Sequence, residues 1–154
     1  PARWGLIPSW SKDDKIAQNT FNARAETITE KPSFRAAFKR RRCIVPVSAF
    51  YEWRAIPGEK TKQKLRFSSP DAAPLAIAGL WEHWTRAETG ETVESYTIIT
   101  TSANEFMAPI HDRMPAILGK ADWEAWLDPE AVNPMSLESM LQPCPDDWLE
   151  CEAA

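Results

Sequence analysis

An α+β fold, with a mixed but mainly antiparallel sheet curled toward a barrel and helices at its periphery, is predicted by three features of the sequence. Strand-like runs dominate the chain and are joined by turn signals such as Pro57-Gly58 and Gly90, which favour hairpins. The helical stretches are short and interspersed among the strands, so they have room only at the edges of a sheet. A length of 154 residues with 44% hydrophobic content suits one core, so residues 1–154 are expected to form a single domain.

The elements follow in order. Residues 3–7, Arg-Trp-Gly-Leu-Ile, read as a strand stopped by Pro8, and residues 9–19 as a polar loop carrying Trp10. Residues 20–27 are extended, and a period of two puts Asn22, Arg24 and Glu26 on one face. Three polar groups on one face do not suit a strand resting on a core, so that face lines a cleft. Pro32 to Lys39 is a short helix with Pro32 in its first turn and Phe34 and Phe38 on one side. Residues 42–47 and 49–54 are strands broken at Pro46 or Ser48, with Phe50 and Glu52 on one face and Tyr51 and Trp53 on the other. Residues 55–64 form a polar loop, and strands follow at 64–68 and 75–81. A charged hairpin loop at 85–92 leads into a strand at 95–101 rich in β-branched residues. Ser102-Ala103-Asn104-Glu105 has the form of a capping box and predicts a short helix. Residues 116–118 are a short strand and 121–127 a helix carrying Trp123 and Trp126. Asn133 caps a last helix that begins at Pro134 and runs to about Leu141, and the tail beyond Pro143 is acidic and weakly patterned.

Composition narrows the function. A net charge of −4 excludes a broadly basic protein that coats nucleic acid, while leaving room for a local groove. The run Lys39-Arg40-Arg41-Arg42 is most simply a solvated face. No apolar run approaches the roughly 18 residues that span a bilayer, and the first ten residues lack a signal-peptide pattern. A cytoplasmic protein, monomeric and without membrane contact, is the expectation. Three cysteines form no complete disulfide framework, and Cys43 lies in an apolar run as a small buried hydrophobe. Two histidines without a Cys-x-x-Cys leave no zinc site, and no metal or cofactor is expected. Eight tryptophans supply core area, with one or two near basic residues free to stack on bases.

One of the two histidines, His111, stands in the polar knot Ile110-His111-Asp112-Arg113-Met114-Pro115. Histidine is the side chain whose ordinary pKa lies nearest neutrality, which makes it a candidate proton carrier; taken alone, it reads more simply as a structural turn residue. His83, between Glu82 and Trp84, has no partner motif and reads as structural.

Five segments in order carry a resemblance. They are residues 4–10 (Trp-Gly-Leu-Ile-Pro-Ser-Trp), 22–26 (Asn-Ala-Arg-Ala-Glu), 42–53 (from Arg42-Cys43-Ile44-Val45-Pro46 to Phe50-Tyr51-Glu52-Trp53), 78–82 (Ala-Gly-Leu-Trp-Glu) and 110–115. Together they resemble the SRAP family, the SOS-response-associated peptidases. The resemblance implies recognition of abasic sites in single-stranded DNA and a covalent DNA–protein crosslink. The nucleophile it implies is an N-terminal cysteine, freed when the protein removes its own initiator methionine. Its thiol and α-amine capture the ring-opened sugar aldehyde as a thiazolidine, and an α-amine with an ordinary pKa of about 7.7–8.0 is partly neutral at physiological pH.

The same resemblance implies roles for residues. Asn22 orients the amine or the sugar, Glu52 handles protons near the amine, and His111 assists Schiff-base formation or crosslink reversal. Arg24 binds the phosphate beside the lesion, Arg113 is a further DNA contact, and Trp10 lies against the strand. Glu26 reads as a salt-bridge partner for an arginine. The family's Met-Cys-Gly-Arg start is not among residues 1–154, and Cys43, Cys144 and Cys151 do not stand in its context, so this stretch by itself is not expected to crosslink DNA. A second departure is Lys62-Gln63-Lys64-Leu65-Arg66-Phe67, where the family often has proline and an aromatic. Two alternatives stand beside this reading: a non-covalent reader of damaged DNA, and a protease using His111-Asp112 with a serine such as Ser48.

Overall fold

The computed structural model describes residues 1–154. Nine strands form two sheets: β1 (Arg3–Trp4), β2 (Asn22–Arg24), β3 (Arg42–Val47), β4 (Phe50–Ala55), β5 (Lys62–Ser68), β6 (Leu75–Thr85), β7 (Thr92–Ser102), β8 (Arg113–Pro115) and β9 (Glu150–Ala153). Three short helices accompany them, α1 (Arg35–Arg40), α2 (Trp123–Leu127) and α3 (Pro134–Ser139). The α+β class and the mainly antiparallel, mixed pairing agree with the sequence. The barrel does not close: a six-stranded sheet and a separate three-stranded sheet, ordered β4-β5-β9, stand in its place.

The β6–β7 hairpin is the spine. Its strands pair from Thr85↔Thr92 to Gly79↔Ile98, then diverge. Into that gap goes the segment after residue 112. β8 pairs with the end of β7, Ala116 N–H donates to Ile99 O at 2.8 Å, and Ala78 N–H donates to Ala116 O at 2.8 Å. On the opposite edge of β7 lie β1 and β2, both parallel to it, with Asn22↔Ile98 and Arg24↔Thr100 in register. β3 closes the far edge of β6. The chain then leaves the large sheet at Ser48 and enters the small one.

One face of the large sheet is covered by helices. Ala23, Ala78, Leu80 and Ile99 point there and bury against Phe34, Phe38, Trp126, Leu137 and Leu141. Arg42 ties this layer together. Its guanidinium donates to the carbonyls of Phe38 and Lys39 at the end of α1, and to those of Trp126, Asp128 and Ala131 around the end of α2. Carbonyls at a helix C-terminus have no partner within the helix, so one buried arginine satisfies two helix ends at once. A second core, with Leu65, Phe67, Leu75, Met107, Met114 and Leu149, joins the small sheet to the end of the large one.

Four expectations change. The first strand stops at Trp4, because Gly5 turns at φ 108° and its Cα lies so close to the Lys15–Asn19 turn that a Cβ would stand 2.5 Å from Ala17 O. No helix follows Ser102, which stays in β7; Asn104 instead organises consecutive turns, accepting from Met107 N–H at 2.9 Å and donating to Cys144 O at 3.0 Å. The acidic tail holds β9, paired with β5; all four of its residues are exposed, so it carries no alternation to read. The basic run divides: Lys39 and Arg40 are solvated, whereas Arg42 is buried and Arg41 pairs with Glu82 at 2.7 Å.

Candidate active site

The other face of the large sheet is left open, and β4 of the small sheet stands beside it. Between them runs a cleft of about 670 Å³. Its floor comes from alternate residues on neighbouring strands. Asn22 and Arg24 of β2 lie next to Ile98 and Thr100 of β7, followed by Ile77 of β6 and Val45 of β3. Phe50, Tyr51, Glu52 and Trp53 form the wall, and His111 and Arg113, delivered by the segment that wedges between β6 and β7, form one end.

The structure therefore brings Asn22, Arg24, Glu52, His111 and Arg113 together from three stretches of sequence. Trp10 is not among the residues lining the cleft and is 59% exposed outside it. Five aromatic residues that sequence reasoning had not assigned to the site line it instead: Trp4, Phe50, Tyr51, Trp53 and Tyr96. The expected alternation along β4 holds, with Phe50 and Glu52 half-buried and Tyr51 and Trp53 exposed. All four nevertheless reach the cleft, because β4 pairs only with β5 and lies along the rim. The legible signal was the tight packing of aromatics on both sides of Glu52. Lys64 places its ammonium 4.3 Å from the Tyr51 ring centre, and Trp4 is held by its indole N–H on Phe21 O at 2.8 Å.

The two cleft arginines differ in what they have left to offer. Arg24 has a side chain 66% exposed and only a loose contact with Glu26, 3.9 Å from Nε to Oε2. Its guanidinium is free to take an anion. Arg113 is 16% exposed and already engaged: Nη1 and Nη2 grip the Glu26 carboxylate at 2.8 and 2.9 Å, and Nη2 also donates to Thr100 O at 2.9 Å. Hydrogen bonding from Arg113 holds the Glu26 carboxyl below its ordinary pKa, against the opposing effect of burial. Glu26 thus fills the salt-bridge role expected of it.

His111 is held by the backbone of the same arginine. Arg113 N–H lies 3.0 Å from His111 Nδ1. A backbone N–H can only donate, so this contact favours a lone pair on Nδ1 and the ring proton on Nε2, while Arg113 O, 3.1 Å from the same Nδ1, would suit the opposite tautomer. No cysteine lines the cleft. Burial pushes the thiols of Cys43 and Cys144 up to about 11, which keeps them protonated and unreactive near neutrality. Ser48, the serine of the protease alternative, is exposed, lies outside the lining and makes no hydrogen bond to His111. His83 is exposed beside Trp81, away from the cleft. No group of three or more His, Cys, Asp or Glu residues gathers as metal ligands, and no helix is long and apolar enough to cross a membrane.

Residues 1–154 match, over their whole length, the family model described as SOS response associated peptidase. The chain belongs to the SRAP family. Among its SRAP relatives is the abasic site processing protein YoaM of Bacillus subtilis, 48% identical over 148 residues, which cover 96% of this chain and 64% of YoaM. The abasic site processing protein HMCES of Xenopus tropicalis is 39% identical over 146 residues, covering 82% of this chain and 44% of HMCES. The chain thus spans less than two thirds of the length of these relatives. Its fold is similar to a crystal structure of a Bacteroides thetaiotaomicron protein, with a TM-score of 0.91 at 36% identity over 97% of this chain and 66% of that one. A Bordetella bronchiseptica protein gives 0.84 at 33% identity over 99% and 75%. The SRAP resemblance drawn from five sequence segments is therefore shown.

Proposed function

We propose that the protein containing this SRAP chain processes abasic sites in single-stranded DNA and captures them as a covalent thiazolidine. The relatives bear the name abasic site processing protein. The observation that carries the proposal to this chain is the meeting of Asn22, Arg24, Glu52 and His111 in one open cleft, with Arg24 held by no more than a 3.9 Å contact to Glu26.

The chemistry asks for few groups. The ring-opened sugar presents an aldehyde. The α-amine of the N-terminal cysteine implied by the family adds to that carbon, and loss of water gives an imine. The thiol then adds to the imine carbon, closing the thiazolidine, so one water leaves overall. The amine must lose a proton and the departing oxygen must gain one. Glu52 takes the first role as a carboxylate and His111 the second through Nε2–H. Asn22 orients the amine or the sugar through its amide. Arg24 holds the phosphate beside the lesion with its guanidinium fork. Tyr51, Trp53 and Trp4 stack on neighbouring bases, each for roughly 1–3 kcal/mol. Trp10, outside the cleft, meets the strand only beyond the lesion. In this reading residues 1–154 act as one domain of a monomer, with no metal or cofactor.

The test mixes full-length protein bearing a free N-terminal cysteine with labelled single-stranded DNA containing one abasic site. A slow band on a denaturing gel is expected, and none with intact DNA. Binding that disappears under denaturing conditions and falls steeply with modest salt would replace the proposal with non-covalent reading of damage.

A further inference from the structure

His111 needs a fixed ring if it is to deliver a proton at one atom, yet its side chain is 42% exposed. What holds it is a short chain of contacts. Nδ1 faces Arg113 N–H at 3.0 Å, a donor that suits the Nε2–H tautomer. It also faces Arg113 O at 3.1 Å and Asp112 Oδ1 at 3.4 Å, acceptors that suit a proton on Nδ1, so the position of the Arg113 backbone decides between the two. The Arg113 backbone in turn sits in register with Ser102 at the start of β8. Its side chain reaches back across the sheet to Glu26, just after β2, and to Thr100 on β7. Arg113 Nε is buried and has no partner, so the Glu26 and Thr100 contacts alone anchor the guanidinium. The two-pronged carboxylate grip is the strongest of these, because a charge-assisted fork fixes direction as well as distance.

We propose that Glu26 is a positioning residue for the SRAP reaction: by gripping Arg113 in two places it holds His111 as the Nε2–H tautomer in the cleft. Glu26 touches no reacting atom and acts through Arg113. The crosslinking part of its test rests on the abasic-site reading above; the tautomer part does not.

Full-length protein labelled with ¹⁵N provides the test, with the His111 ring assigned by its loss in His111→Gln. Ring correlations above neutral pH are expected to show one tautomer, protonated at Nε2. Glu26→Gln keeps the shape but removes the charge. It is expected to give averaged ring signals from two exchanging tautomers. It is also expected to slow crosslinking at saturating DNA by about tenfold, within the losses known for small misplacements of a reacting group. The DNA concentration for half-saturation stays at the wild-type value. Glu26→Asp, which keeps the charge on a shorter arm, restores part of the tautomer preference. A single Nε2–H tautomer and a wild-type rate in Glu26→Gln would overturn the proposal. Should Glu26→Gln fail to fold, Arg113→Lys, whose single ammonium cannot grip the Glu26 carboxylate in two places, carries the same tautomer measurement, and a single Nε2–H tautomer there counts against the proposal. The ring signals need no DNA, so absence of crosslinking by the wild type would sink the abasic-site reading without touching this result.

Discussion

The two faces of the large sheet are built from the same strands and do opposite work. Toward the helices β2 presents Ala23, which is fully buried; toward the cleft it presents Asn22 and Arg24, both exposed. β7 repeats the pattern, with Ile99 in the core and Ile98 and Thr100 on the cleft floor. Arginine shows the contrast most sharply. On the covered face every direction of the Arg42 guanidinium ends on a backbone carbonyl, whereas on the open face Arg24 ends on nothing firmer than a 3.9 Å contact. An unsatisfied charge is costly in a core and useful in a cleft. Because side chains alternate with a period of two, a slip of one residue in β2 would exchange core and site, so the pairing of Ala23 with Ile99 protects both.

That contrast predicts substitutions that break stability on one side and chemistry on the other. The largest stability effect is expected for Trp126→Ala. The ring is fully buried against Phe38 and its indole N–H donates to Cys43 O at 2.8 Å, so urea unfolding should show a loss of about 3–5 kcal/mol. Arg42→Met strands the carbonyls of two helix ends and should cost roughly 3 kcal/mol in the same measurement. Across the sheet, Glu52→Gln should change stability by no more than about 0.5 kcal/mol while slowing crosslinking about a hundredfold in a denaturing-gel time course. Arg24→Ala should leave the rate at saturating DNA in place. It should raise the half-saturating concentration about tenfold and lower the salt slope of binding by about one. Most modest is the difference among thiols. At pH 8, iodoacetamide should label exposed Cys151 of this chain first, and Cys43 and Cys144 only as unfolding exposes them, since thiols held near 11 carry little thiolate at that pH.

Much of this arrangement was legible in the sequence. The polar alternation Asn22, Arg24, Glu26 announced a strand face that could not rest on a core. The structure makes Asn22 and Arg24 the cleft floor, but the strand ends at Arg24, shorter than the extended 20–27 expected, and Glu26 lies in the turn that follows, paired with Arg113. The hairpin at Gly90 and the cap at Asn133 were readable because each depends on a local rule: a left-handed backbone at φ 71°, and a side-chain oxygen 3.1 Å from Met135 N–H. What could not be read depended on distant partners. Nothing in Lys39-Arg40-Arg41-Arg42 says that its last member will meet carbonyls more than 80 residues away, at Trp126 and Asp128. Nor does the Ser102 capping pattern reveal that Asn104, tied to Cys144, will organise the turns instead. β9 was hidden because an edge strand exposed at every residue has no hydrophobic period. Trp10 and Trp4 lie six residues apart in one motif, and only the sheet pairing of Trp4 with Tyr96 decides which of them reaches the cleft.

The central claim is that the open face, and not the covered one, acts on an abasic site. One denaturing-gel time course tests it most directly: full-length protein and single-stranded DNA with one abasic site, comparing wild type with Asn22→Ala, Glu52→Gln, His111→Gln and, as the covered-face control, Leu137→Met. The account predicts a crosslinked band for wild type and Leu137→Met at similar rates, and much slower bands for the three cleft variants. Equal rates for all five proteins, or no band from any of them, would contradict it.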